Sequence, residues 1–245
     1  VRQLAASVKG SLCRDTPSLR EDAFPLSDLR RSISIAGLTP FLPPNVLSAR
    51  GMQWQLQRPC DAVAEVPRAR WAVSIAALPE PIASRVRHGG FLHGAQLADN
   101  AAFAISPAEA AAMDPCQRLL LEGGYAALNA STLERVGLSG SLTGVFLGFG
   151  GSEFGQVLAT SPAGVSVYAA TGSTSSIACG RLSYALGLHG PCGSYDTACS
   201  SALVACHAGL RALQLGEGAA GMVVGVGLIL LPAVSASFAV AGMTS

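Results

Sequence analysis

The chain has 245 residues, of which half are hydrophobic and only 13% are charged, and its formal net charge is +1. Such a composition is typical of a globular protein that buries one large core or two small ones. The near balance of charge excludes the electrostatic signature of a nucleic-acid-binding protein or of a protein with an acidic partner.

The cysteines indicate the redox environment. They number seven, an odd count, and no two are spaced as CxxC. This pattern argues against a disulfide framework and against a structural zinc site. We therefore expect a reducing compartment and a cytoplasmic location, with a plastid as the alternative.

Residues 1–32 are predicted to form a linker or leader. They mix basic and acidic side chains and lack the apolar core of a secretory signal. A transit peptide is the alternative, which the acidic side chains disfavour. Residues 33–38, a short apolar run before a proline-rich turn, predict a buried strand.

Two helices are predicted in the middle of the chain. Ser106 is followed by Pro107 at the first helical position and by Glu109 at the third, which is the pattern of a helix start. Residues 117–129 predict the next helix, although Gly123 and Gly124 each cost about 1 kcal/mol relative to alanine in a helix interior. We expect close packing to be the reason for both glycines.

Strands are predicted at residues 143–149 and 220–231, where β-branched residues and glycines dominate. Strands that alternate with helices indicate an α/β layer architecture. Residues 218–245 carry no charge and are long enough to cross a bilayer as a helix. Their glycines and Pro232 favour a buried strand, a loop and a helix instead, so we expect no membrane span.

Residues 194–217, SYDTACSSALVACHAGLRALQLGE, set Cys199 between an extended run and an amphipathic helix. Gly216 ends the helical pattern. One face of this helix is predicted to carry Leu203, Cys206, Leu210 and Leu213. A thiol near the first turn of a helix lies beside unpaired N–H groups and the positive end of the helix dipole, which favour the nucleophilic thiolate. A free cysteine is otherwise a small buried hydrophobe, and only its position sets Cys199 apart.

These residues resemble a known family. DTACSSALVACH at 196–207 is similar to the nucleophile segment of the β-ketoacyl synthase domains of type I polyketide and animal-type fatty acid synthases. MDPCQRLLLE at 113–122 resembles a segment of the modular type I enzymes, with Cys116 where glutamine is common. Further matching segments are, in order, GGFL (89–92), ISP (105–107), TGSTSSIACGRLSY (171–184) and GLHGP (187–191).

The resemblance implies a thiolase-like fold, in which two similar α/β halves form a five-layered sandwich. Residues 33–245 are expected to be the first half only, an incomplete synthase domain. The resemblance also implies a homodimer formed through the region before Cys199. An acyl carrier protein is the expected partner, and its phosphopantetheine carries the substrates; no cofactor bound directly and no metal are expected.

The implied chemistry begins with Cys199, which takes an acyl group as a thioester. The acyl group then passes to a carbanion made by decarboxylation of a malonyl-type extender. The backbone N–H of Cys199 is one expected oxyanion donor. The family's two active-site histidines and its nearby lysine belong to motifs that follow the nucleophile, and nothing similar occurs in this sequence, whose only lysine is Lys9.

The four histidines present do not match the family's catalytic positions. His207 follows Cys199 on the same predicted helix, about 12 Å along its axis, and so cannot exchange a proton with it directly. His88, His93 and His189 are expected at the surface. We therefore predict that the chain alone is inactive. A non-catalytic scaffold or dimerisation module is the alternative function. GFGGSEFG at 148–155 lacks the spacing of a dinucleotide-binding loop.

Overall fold

The computed structural model describes residues 32–43, 46–58, 60–71, 79–131 and 135–244, with the backbone alone at 135 and 136. The predicted linker or leader at 1–32, including Lys9, lies outside these ranges except for its last residue.

The described residues alternate helices with strands, as predicted. The strands are β1 (Ala64–Glu65), β2 (His88–Gly89), β3 (Thr143–Phe149), β4 (Cys192–Tyr195) and β5 (Ala220–Val226). The helices are α1 (Ala49–Leu56), α2 (Glu80–Val86), α3 (Pro107–Ala112), α4 (Pro115–Ala130), α5 (Arg135–Leu138), α6 (Phe154–Ala159), α7 (Ala169–Gly172), α8 (Ser175–Leu186), α9 (Ser201–Gln214) and α10 (Pro232–Val240).

The main sheet is parallel and has the order β4-β3-β5. Val145 of β3 lies opposite Cys192 of β4, and Thr143 lies opposite Ala220 of β5. β1 and β2 form a separate antiparallel pair. Every residue of β3 is buried, because β3 is the central strand and helices cover both of its faces.

The alternation of side chains along β3 divides the core into two layers. Val145, Leu147 and Phe149 pack with residues of α4 and α8, including Leu120 and Leu182. Phe146 points to the other face and packs with small residues of α9. One central strand therefore organises both layers, which is what its period of two requires.

The predicted elements in the middle of the chain are confirmed. α3 begins after Ser106, whose Oγ accepts a hydrogen bond from the Glu109 N–H at 3.1 Å. In α4, a Cβ at Gly124 would lie 2.9 Å from Leu182, so close packing explains that glycine. The same explanation is wrong for Gly123, where an added Cβ would meet nothing within 4 Å.

Two strand predictions need correction. Residues 33–38 form no strand, and Ile35 is 86% exposed. Gly37 instead lies against the end of α4, where a Cβ would come within 2.5 Å of the Ala127 carbonyl oxygen. The strand predicted at 220–231 ends at Val226, because the chain then turns away irregularly toward α10.

The apolar stripe predicted on α9 does not face the core of the described chain. Leu203 is 73% exposed and Leu210 is 41% exposed. The buried face of α9 consists of the small residues Ser201, Ala205, Gly209 and Ala212. Small side chains allow the helix axis to lie close to the sheet, and this places the large apolar side chains on the opposite face.

No helix within the described residues is long and apolar enough to cross a membrane. The uncharged stretch 218–244 consists of β5, an irregular segment and α10, as predicted.

The first turn of α9 touches the sheet through two glycines. A Cβ at Gly148 of β3 would lie 2.4 Å from the Ala202 backbone nitrogen, and a Cβ at Gly225 of β5 would lie 2.9 Å from the Ala202 Cβ. Neither strand can carry a larger residue there unless the helix moves. The start of α9 is thus fixed by backbone contact rather than by side-chain packing.

We expect Gly148→Ala to lower the free energy of unfolding by about 3 kcal/mol, at the upper end of overpacking costs, because the new methyl group meets backbone that cannot rotate away. Gly180→Ala is the matched control. Gly180 lies inside α8, where a Cβ would meet nothing within 4 Å, so alanine should stabilise the helix by about 0.5–1 kcal/mol. Urea denaturation followed by circular dichroism measures both. Equal stability of the two variants would contradict the close contact.

Candidate active site

Cys199 lies at the junction between β4 and α9, where the sequence predicts it. β4 ends at Tyr195, a 3-10 turn spans Ala198–Ser200, and α9 begins at Ser201. The thiol therefore stands just before the helix rather than inside its first turn. It is exposed. We call residues 196–200 the nucleophile turn.

Hydrogen bonds from its own side chains and from the side chain of Ser201 hold the nucleophile turn. Asp196 Oδ1 accepts from the Ala198 N–H at 3.1 Å. Ser201 Oγ accepts from the Thr197 N–H at 2.9 Å and donates to the Ala198 carbonyl at 2.7 Å. Ser200 Oγ donates to the Thr197 carbonyl at 2.9 Å. The polar residues around Cys199 thus satisfy the backbone of the turn and fix the direction in which the chain enters α9.

Ala198 has a left-handed backbone, with φ at 55°, which is costly for a residue that has a Cβ. A Cβ at Gly150, in the loop after β3, would lie 3.2 Å from the Ala198 carbonyl oxygen. Backbone strain of this kind is concentrated at functional sites. Sequence reasoning missed it, since alanine carries no signal for a positive φ.

The loop after β3 runs beside the nucleophile turn and is tied to the start of α4. Asp114 is fully buried; its Oδ1 accepts from the Cys116 N–H at 2.7 Å, and its Oδ2 accepts a short hydrogen bond from Ser152 Oγ. The Asp114 N–H donates to the Gly172 carbonyl at 2.8 Å. One aspartate therefore caps α4, holds the loop and contacts the end of α7.

Gln117, on the first turn of α4, extends this connection. Its Nε2 donates to the Thr171 carbonyl at 3.1 Å, and its Oε1 accepts from Arg181 Nε at 3.0 Å. Arg181 also forms an ion pair with Glu109 of α3. The MDPCQ segment thus joins α3, α4, α7 and α8 through buried polar contacts, a role that sequence reasoning did not find.

Cys116 is a buried structural cysteine. Burial raises the pKa of its thiol far above the ordinary value, and the Asp114 carboxylate raises that pKa further. The thiol is therefore protonated at neutral pH and is not a competing nucleophile.

The glycine-rich residues 148–155 do not offer an open anion cradle. The Glu153 carboxylate accepts hydrogen bonds from the Leu230 N–H at 2.8 Å and the Leu231 N–H at 2.6 Å. Ser152 is bonded to Asp114. Ser152 and Glu153 thus bind the loop after β3 to Asp114 and to the segment after β5. This agrees with the prediction that residues 148–155 form a loop after a strand. Among the residues that the structure describes, no group of three or more His, Cys, Asp or Glu side chains could hold a metal ion.

All four histidines are exposed. His189 precedes β4, and its backbone N–H donates to the Ser141 carbonyl at 2.8 Å. His189 therefore lies at the end of the sheet opposite to Cys199. His207 lies farther along α9, and His88 belongs to β2. The surface positions predicted for His88, His93 and His189 are confirmed.

The chain belongs to the family of the β-ketoacyl synthase N-terminal domain, whose model matches residues 30–245. Its fold is the N-terminal half of the thiolase-like ketosynthase fold. Similar solved structures include the ketosynthase from module 6 of the bacillaene synthase of Bacillus subtilis 168, with a TM-score of 0.71 and 30% identity over 84% of this chain and 33% of that one. The oxazolomycin ketosynthase domain OzmH KS7 of Streptomyces albus JA3453 gives a TM-score of 0.73 and 29% identity over 85% of this chain and 37% of that one.

Curated relatives are polyketide synthases. The spectinabilin polyketide synthase system protein NorA of Streptomyces orinoci is 38% identical over 86% of this chain and 11% of its own length. The mycocerosic acid synthase-like polyketide synthase of Mycolicibacterium smegmatis is 39% identical over 87% of this chain and 10% of its own length. The chain spans about a tenth of these relatives and about a third of the solved ketosynthases. The organisms named here are bacteria, so these relatives give no support to a plastid location.

The strain at Ala198 can be tested with two substitutions. Ala198→Val should lower the free energy of unfolding by about 1–3 kcal/mol, because a β-branched side chain is strongly disfavoured at positive φ. Ala198→Gly should leave it nearly unchanged, since relief of strain offsets the greater backbone entropy of the unfolded chain. Thermal unfolding measures both, and Ala198 is exposed, so lost packing does not confuse the comparison. Valine tolerated as well as glycine would contradict the left-handed backbone.

Proposed function

We propose that Cys199 is the acyl-accepting nucleophile of a polyketide-type β-ketoacyl synthase, of which this chain supplies the N-terminal half. The observation that carries the proposal is the position of the exposed thiol on a strained turn that leads into α9. In open parallel α/β sheets, reactive groups lie beyond the carboxyl ends of the strands, and this thiol follows the carboxyl end of β4.

The proposed reaction has two stages. The Cys199 sulfur attacks the thioester carbonyl of an acyl group that the phosphopantetheine of a carrier protein delivers, and the carrier thiol leaves. The acyl group then passes to the carbanion of a decarboxylated malonyl-type extender. Backbone amides at the start of α9, including the Cys199 N–H, are suited to stabilise the negative charge on the carbonyl oxygen during the first stage.

We propose that the chain alone carries out the first stage at most. Decarboxylation requires neutral imidazoles near the thioester, and the positions of His189 and His207 do not supply them. The chain matches about a third of the solved ketosynthases. The exposed apolar face of α9, with Leu203 and Leu210, is suited to contact the remaining part of such an enzyme.

A homodimer through the region before Cys199 is part of the proposal. Within the described part of the chain, β4 is an outer strand of the parallel sheet, so the edge that faces away from β3 can pair with another strand. α8, which packs against β4, exposes Tyr184 and Ile177 beside it. An unpaired strand edge flanked by exposed apolar side chains is suited to self-association.

Selective labelling tests the nucleophile. A cerulenin-type epoxide should modify Cys199 faster than Cys60, Cys192 or Cys206, which are also exposed, because exposure alone does not activate a thiol. Peptide mapping by mass spectrometry measures the distribution of the label. Cys199→Ser should remove the fast phase, and the matched variant Cys206→Ser should keep it. A label spread evenly over the exposed thiols would favour the non-catalytic scaffold.

Incubation with acyl and malonyl carrier proteins separates the two stages. We expect an acyl mass increase on Cys199 without any β-ketoacyl product, since the groups for decarboxylation are missing. Intact-protein mass spectrometry measures the acyl mass increase, and extraction of the products detects any β-ketoacyl compound. The Cys199→Ser variant is the blank for both measurements. Steady formation of a β-ketoacyl product by the wild-type chain would overturn the proposal that the chain alone does not condense.

A further inference from the structure

Two cysteines that the proposed reaction does not use meet where α8 packs against β4. Ser194 Oγ donates to the Ser175 carbonyl at 2.7 Å. Cys179 is one helical turn beyond Ser175, and Cys192 is two residues before Ser194 on the same face of its strand. Ser175 and Cys179 are separated by about 6 Å along α8, and Ser194 and Cys192 are separated by about 6.6 Å along β4. Because these two spacings match, Cys179 is opposite Cys192 as Ser175 is opposite Ser194. This spacing sets Cys179 and Cys192 side by side, and Cys179 Sγ donates a hydrogen bond to the Ser176 carbonyl at 3.4 Å.

The two thiols differ in access and in acidity. Cys192 is exposed and Cys179 is buried. Hydrogen bonding to Cys192, with a further contribution from Ser194, lowers the pKa of the Cys179 thiol to about 6, although burial acts in the opposite direction. Hydrogen bonding to Cys179, together with burial, raises the pKa of the Cys192 thiol. These shifts make Cys179 the more acidic thiol of the pair, and a thiolate is the form that reacts with oxidants.

We propose that Cys179 and Cys192 are a redox-responsive pair that closes to an intrachain disulfide when a hydroperoxide reaches it. The thiolate attacks one peroxide oxygen, the O–O bond breaks, and a sulfenic acid forms while the released hydroxide takes up a proton. The second sulfur then attacks the sulfenic sulfur, the S–O bond breaks, and the departing hydroxide takes the remaining thiol proton. Two thiols and one hydrogen peroxide give one disulfide and two waters.

The disulfide fastens α8 to the start of β4 and leaves Cys199 as a thiol. Cys192 and Tyr195 mark the two ends of β4, which are about 10 Å apart, and the nucleophile turn follows the far end. The inference rests only on the contact between α8 and β4, so it stands apart from the proposed acyl transfer.

Peptide mapping without reduction tests the pair. The wild-type chain is treated with hydrogen peroxide, remaining thiols are blocked, and the chain is cleaved after Arg181 and after Tyr195, which places Cys179, Cys192 and Cys199 in different peptides. We expect one crosslink, between the peptides of Cys179 and Cys192, with a mass two hydrogens below their sum. On a non-reducing gel the oxidised chain should remain monomeric in size.

The variants identify the partners. Cys192→Ser, at an exposed position, should abolish the crosslink, and the matched Cys206→Ser should leave its yield unchanged. Cys179→Ser should also abolish it; circular dichroism checks the fold of this buried variant, and Cys192→Ser decides the question if Cys179→Ser unfolds. The proposal is overturned if wild-type Cys192 is oxidised only to acids, or if it crosslinks to Cys199 or to another chain.

Discussion

The contact between the first turn of α9 and the parallel sheet is the constraint on which the candidate site depends. Ala202 rests on Gly148 and Gly225, so the helix begins at a distance that only glycine permits. The nucleophile turn must then reach from the end of β4 to this fixed helix start, and Ala198 accepts a left-handed backbone to do so. The exposure of Cys199 follows from that path.

A second set of contacts holds the loop after β3 beside the nucleophile turn. Asp114 and Gln117 lie at the start of α4, yet their hydrogen bonds reach the loop after β3, the end of α7 and, through Arg181, the ion pair with Glu109. Buried polar groups of this kind are costly unless every partner is present. The MDPCQ segment therefore acts as a structural junction that positions the loop beside Cys199.

The sequence pattern predicted those helices and strands whose ends and residue types are set by neighbouring residues in the chain. β3 has the bounds that its β-branched and aromatic residues indicate, and α3 begins where Ser106 caps it. The strand predicted at residues 33–38 does not form, because an apolar run becomes a strand only where a neighbouring strand has an edge to pair with. The left-handed Ala198 was invisible in the sequence, since contacts among distant segments impose it.

The stripe on α9 shows a different limit of sequence reasoning. Its period was predicted correctly, but a hydrophobic pattern identifies the apolar face without identifying what covers it. Ala205 and Gly209 face the sheet because small residues permit close approach, and Leu203 is left outside. The junction at Cys199 was predictable, whereas the direction of the helix that follows it required the positions of β3 and β5.

The order of the sheet has a consequence for synthesis on the ribosome. β3 is made before both of its neighbours, and its longest pairing, with β5, joins Thr143 to Ala220 across a large part of the chain. Contacts this distant in sequence form slowly, because a long loop must close first. During translation one backbone edge of β3 consequently remains unpaired until β5 has emerged, and a nascent chain at that stage would be a substrate for chaperones.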